Sequence, residues 1–140
     1  MHVKPIGIAT VAGGIILLVV SFIADAIAQL VTPYDIFTIG GMRAMDDPIM
    51  LLFFLYPFIF ALIAAVVFDL IQPALTGDVR HRGLLYGVIL FIIVIIPNMW
   101  VIFSSMTYPT GFYISNILTG LIAYPLMGIL YAMIWEKHSS

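Results

Sequence analysis

Between Pro48 and Leu70 the chain reads PIMLLFFLYPFIFALIAAVVFDL, a run in which Asp69 is the only charged residue. A helix rises about 1.5 Å per residue and the hydrocarbon core of a bilayer is about 30 Å thick, so this run is long enough to cross one. Its ends are marked. Asp46 and Asp47 precede a proline suited to a first helical turn, and Gln72-Pro73 closes the far side. Two features interrupt the apolar pattern, Tyr56-Pro57 and Asp69, and any account of the chain must place both.

The rest of the chain repeats this design. Of 140 residues 64% are hydrophobic and 9% charged, with a mean hydropathy of +1.20. A water-soluble domain carries about 25% charged residues, so the composition points to a small polytopic membrane protein. Spans are expected at about 6–30, 48–71, 84–105 and 112–135. The fold class expected is all-α integral membrane: four transmembrane helices as two antiparallel hairpins in a small bundle, forming a single domain over residues 1–140. The few residues around Tyr108-Pro109-Thr110-Gly111 require the last two helices to be an antiparallel pair. A signal-peptide reading of the first span, suggested by Lys4 and Ala26-Ile27-Ala28, is disfavoured because its apolar region exceeds the usual 7 to 15 or so residues. Within the long loop, Ile36-Phe37-Thr38-Ile39 is apolar enough for the headgroup zone and too short to span.

Small residues mark the faces expected to pack. Gly7, Gly14, Ser21 and Ala28 recur every seventh position in the first span. Pro57, Ala61, Ala65 and Asp69 form an i, i+4 series in the second, as do Asn116, Gly120, Tyr124, Gly128 and Ala132 in the fourth. Tyr56-Pro57 and Tyr124-Pro125 also hint at a duplicated two-helix hairpin. An even number of spans places Lys4, Arg80, Arg82 and Lys137 on one side and Arg43 on the other, so both termini are expected in the cytoplasm. The localisation expected is a prokaryotic inner or plasma membrane.

Counting in from the non-cytoplasmic boundary, Asp25 and Asn116 fall at about 7 Å depth and Tyr56 and Asn98 at about 12 Å. Four polar side chains at similar depth suggest an outward-facing pocket with Asp25 as its anionic centre, to which carbonyls freed by Pro57, Pro97 and Pro125 would add acceptors. The plainer alternative is that these groups bridge helices. Asp69 lies on the side of Arg80 and Arg82, and structural ion pairing among these three is the expectation there.

Much chemistry is excluded. The chain has no cysteine, which removes disulfides, thiol redox chemistry and iron–sulfur ligation. Met42, Met45, Met50, Met99 and Met106 cluster toward one side as soft thioethers, but no histidine or cysteine accompanies them; His2, His81 and His138 lie on the other side at termini or in a loop. No metal or other cofactor is expected. No span contains a histidine to ligate a buried haem, no enzyme motif is present, and no basic patch suits nucleic acid. Apart from the lipid bilayer, the partners expected are further copies of the chain or other membrane subunits. Two functions fit: a non-catalytic subunit or assembly partner of a membrane complex, and an oligomeric transporter or binder of small solutes or amphiphiles working through the Asp25 pocket.

Overall fold

The computed structural model describes residues 2–35 and 41–139, so the expectation for Ile36–Ile39 falls outside the described residues. Four helices are long and apolar enough to cross a membrane, and there is no strand among the described residues. They are α1 (Val3–Val31), α2 (Met50–Ile71, prolonged by a 3-10 turn over Gln72–Ala74), α3 (Val79–Ser105) and α4 (Thr110–Ser139). Both termini and the 75–78 connection share one end of the bundle, called here the terminal end. The 32–35, 41–49 and 106–109 segments share the other, the loop end.

The helices outrun the apolar segments that announce them. α3 begins at Val79 because Asp78 caps it, the carboxylate accepting the His81 N–H at 2.8 Å, so the polar turn Arg80-His81-Arg82 is already helical. Pro57 and Pro125 lie inside α2 and α4 without ending either helix. Pro97 is accommodated differently. Five residues before and around its missing hydrogen bond, Phe91–Ile95, form a π turn in which the Ile96 N–H reaches the Phe91 carbonyl. The buried positions of α3 register the inserted residue. They step through Gly83, Tyr86, Gly87 and Leu90, then jump to Ile95 and Met99.

α4 lies between α1 and α3, and α1 also packs on α2. The α3–α4 contact is a backbone crossing. A methyl group added at Gly128 would collide with the Gly83 carbonyl oxygen, and one at Gly87 would strike the backbone of Tyr124 and Pro125. Close approach of this kind is what small residues permit between helices in a bilayer.

On the other flank α2 stands further off, and large rings fill the gap. Tyr86, Tyr131 and Phe68 are among the largest fully buried side chains. Phe68 meets Tyr86 and Trp135 edge-on, each at 5.0 Å between ring centres. The alanines Ala61, Ala64 and Ala65, all essentially buried, make room for them. A buried phenol needs a hydrogen-bond partner. Tyr131 donates to the Ala61 carbonyl at 2.8 Å and Tyr86 to that of Ala64.

The seven-residue series in α1 is only partly a packing face. Gly14 and Ala28 are buried, but Gly7 is exposed with nothing within 4 Å of a notional methyl group. The buried set is Ile6, Ala9, Gly13, Gly14, Leu17, Val20, Ala24 and Ala28, with Ile6, Leu17 and Ala28 eleven residues apart. In a straight helix seven residues fall about 20° short of two turns and eleven go about 20° past three, so per residue the eleven-residue series drifts less.

Candidate functional site

The four residues expected to form a pocket have four different surroundings. Asp25 is half-buried at the loop end of α1 and accepts a 2.6 Å hydrogen bond from the Tyr34 hydroxyl. Tyr34 is pinned further by its own N–H, which donates to Gln29 Oε1 at 2.9 Å, and its hydroxyl lies near the buried Ser115 of α4. Gly111 allows this approach, since a methyl group there would run into Thr32 and the Tyr34 ring. Burial, then the Asp25 acceptor and its charge, push the Tyr34 phenol up to about 12. The phenol therefore stays a donor, and Asp25 holds the first residues after α1 against the start of α4.

Tyr56 is half-exposed on α2, and its hydroxyl lies near that of Tyr124 on α4. Phe60 stacks on the Tyr124 ring at 5.2 Å beneath the pair. The two Tyr-Pro dipeptides thus meet one another across the bundle. Asn116 turns back on its own helix, donating to the Phe112 carbonyl at 2.8 Å. Asn98 is exposed and has no hydrogen-bond partner among the described residues. No hydrogen bond joins any two of the four. Helix phase explains this, because equal depth says nothing about the direction in which a side chain leaves its helix axis.

The terminal end corrects the expected ion pairing. Asp69 is 5% exposed, and its partners are neither Arg80 nor Arg82. Asp69 Oδ1 accepts from the Trp135 indole N–H at 2.8 Å and lies 2.5 Å from His2 Nδ1, while the His2 backbone N–H reaches Oδ2 at 3.3 Å. One carboxylate thereby joins the start of α1, the end of α2 and the end of α4. Arg82 reaches Glu136 at 3.7 Å. Arg80 is exposed and has no acidic partner among the described residues. The arginines belong to α3, and Asp69 faces α1 and α4.

Two openings lie along the α3–α4 seam, one at each side of the glycine crossing. Toward the loop end an apolar groove of about 590 Å³ is lined by Phe91, Ile95, Met99, Trp100, Phe103 and Tyr113, among others. Toward the terminal end a wedge of about 540 Å³ is lined by Asp78, Val79, Arg80, Ile129 and Met133. Among the described residues no three His, Asp or Glu side chains gather as a metal site would require.

Sequence reasoning passed over three participants. Gly83-Leu84-Leu85-Tyr86-Gly87 is a small-xxx-small motif visible in the sequence, and it is half of the α3–α4 crossing. Tyr34 and His2 carry no such signal, because their roles depend on where a loop and a chain start come to rest. Compared with family models, with curated proteins and with solved structures, the chain matches none.

Proposed function

We propose that the chain crosses a bilayer four times with both termini on the cytoplasmic side, and that it is a non-catalytic subunit assembling with other membrane helices through the loop-end halves of α3 and α2. What carries this reading is Asn98. It sits about two turns in from Ser105, exposed among Ile92, Ile93, Ile96 and Val101, with no partner in its own chain. An amide held in hydrocarbon is costly unless another helix supplies a donor or acceptor, so a lone exposed asparagine in a span marks a helix–helix contact. The loop-end start of α2 supports the same reading. Leu51 through Leu55 are all exposed, and five consecutive helical residues go more than once around the axis, so this turn of α2 is not covered by the rest of the chain. The transporter alternative needs Asp25, Tyr56, Asn98 and Asn116 to share one space, and each is engaged elsewhere or faces outward.

The absence of cysteine makes the test direct. The protein extracted in mild detergent is expected to elute well above its 15.5 kDa chain mass, alone or with stoichiometric partners, as read by light scattering. Asn98→Leu is expected to weaken that assembly by about 3- to 30-fold, the range that interhelical polar contacts of about 0.6 to 2 kcal/mol provide. A wild-type protein that is a 15.5 kDa monomer in native lipid with no co-purifying subunit overturns the reading.

A further inference from the structure

The wedge at the terminal end of the α3–α4 seam has a polar rim and an apolar floor. It exists because the helices touch at Gly83 and Gly128 and diverge beyond them, leaving Val79 and Arg80 of α3 above Ile129 and Met133 of α4. Each of the other polar side chains in the first turn of α3 has a partner, although the Nε of Arg82 is buried without one. Asp78 caps the helix, His81 Nδ1 turns back to the Thr76 carbonyl at 2.8 Å, and Arg82 extends to Glu136. Arg80 alone is left, on the rim, with no acid bonded to it. Asp78 lies on the same rim, but its charge is offset by the helix terminus that it caps.

We propose that this wedge binds the phosphodiester headgroup of an anionic phospholipid, with Arg80 on the phosphate and one acyl chain along Ile129 and Met133. The matching of charge and polarity is the argument. A planar guanidinium pairs with phosphate through two hydrogen bonds, and it stands at the rim while the floor is apolar. Arg82 and Lys137, on the two helices that form the wedge, add positive charge at the same end, so the surface beside it attracts anionic lipid as well. The site rests on the proposed bilayer crossing, but it lies on the far side of the Gly83–Gly128 crossing from Asn98 and does not depend on assembly through that residue.

The experiment is native mass spectrometry of the purified protein in neutral detergent, titrated with phosphatidylglycerol, phosphatidylcholine or soluble glycerol phosphate. One phosphatidylglycerol is expected to be retained in preference to phosphatidylcholine. Arg80→Gln is expected to reduce that preference about fivefold, the effect of one basic residue near an anionic surface. Met133→Trp, which fills the floor without touching the charge, is expected to reduce retention of the acyl chain. Lys4→Gln, on the same end but off the wedge, is expected to leave it unchanged, and all three variants should elute as the wild type does. Unchanged preference in Arg80→Gln, or an equal loss in Lys4→Gln, overturns the site. Displacement of the lipid by glycerol phosphate at equal concentration overturns its assignment to a lipid and leaves a free-phosphate site.

Discussion

The two ends of the bundle are built on opposite principles. At the terminal end the helices are bound by backbone contact at Gly83, Gly87 and Gly128, by the rings of Phe68, Tyr86, Tyr131 and Trp135, and by a buried carboxylate with three donors at hand. At the loop end α2 and α3 present apolar residues outward around much of their circumference, and the hydrogen bond that holds α1 to its neighbours there runs from Tyr34 to Asp25. Lipid tails are as apolar as leucine, so burying more aliphatic surface would not by itself have held the loop end together. The terminal end holds because it uses van der Waals contact at close range and hydrogen bonds, the two attractions that survive in hydrocarbon. The contrast puts most of what holds the chain together in the terminal half, and the assembly proposed above uses the surface left uncovered in the loop half.

The strongest way to break this comparison is at the crossing. Gly128→Val forces a branched side chain onto the Gly83 carbonyl, and overpacking against a backbone that has no room to yield is expected to cost about 3 kcal/mol or more, read as lost yield and an earlier thermal aggregation temperature. Gly7→Val has open space around it and is expected to leave both unchanged. Asp69→Leu leaves the Trp135 indole N–H without its acceptor and is expected to cost about 1.5 to 3 kcal/mol. Asp69→Asn keeps an acceptor and should lose less. A red shift in Trp135 emission, measured in a Trp100→Phe background, follows the same contact. Tyr131→Phe removes one bond to the Ala61 carbonyl and is expected to cost about 1 kcal/mol in the same thermal assay.

The smallest effect expected is at the loop end, and it depends on pH. With Tyr34 pushed from 10.0 up to about 12, its phenol is protonated in the folded chain where it would already ionise in an unfolded one. The stabilisation it brings is complete below pH 10 and is lost as the pH climbs from 10 toward 12. Asp25→Asn removes the negative charge and is expected to move the phenolate absorbance of Tyr34 to lower pH. If that transition is unchanged by Asp25→Asn, the two ends of the bundle are less different than their contacts imply.

How far the sequence discloses this arrangement varies by level. The existence of four long apolar helices was legible, because each run of apolar residues is bounded by prolines, glycines or charges at the right length. Asp78 was legible as a cap, since capping is local. The direction of a side chain around its helix was not. Gly7 belongs to a perfect seven-residue series and still misses the face, for no other helix comes within 4 Å of a methyl group placed there. The four polar residues share a depth without sharing a neighbour, and Asp69 finds His2 from 67 positions away in the chain, which no local pattern announces. Gly83 and Gly87 were legible in principle: their spacing is a recognised device for close helix contact.

The π turn at Phe91–Ile95 has a further consequence for how α3 can change. One extra residue per turn is a phase offset of about 100° between the two halves of a single rod. The crossing half and the half bearing Asn98 are therefore set to independent angles, like two keys cut on one shaft. Deleting a single residue from this turn would leave the glycine contact in place while swinging Asn98, Trp100 and Phe103 together to a new bearing, and the identity of what meets them would change with no substitution among them.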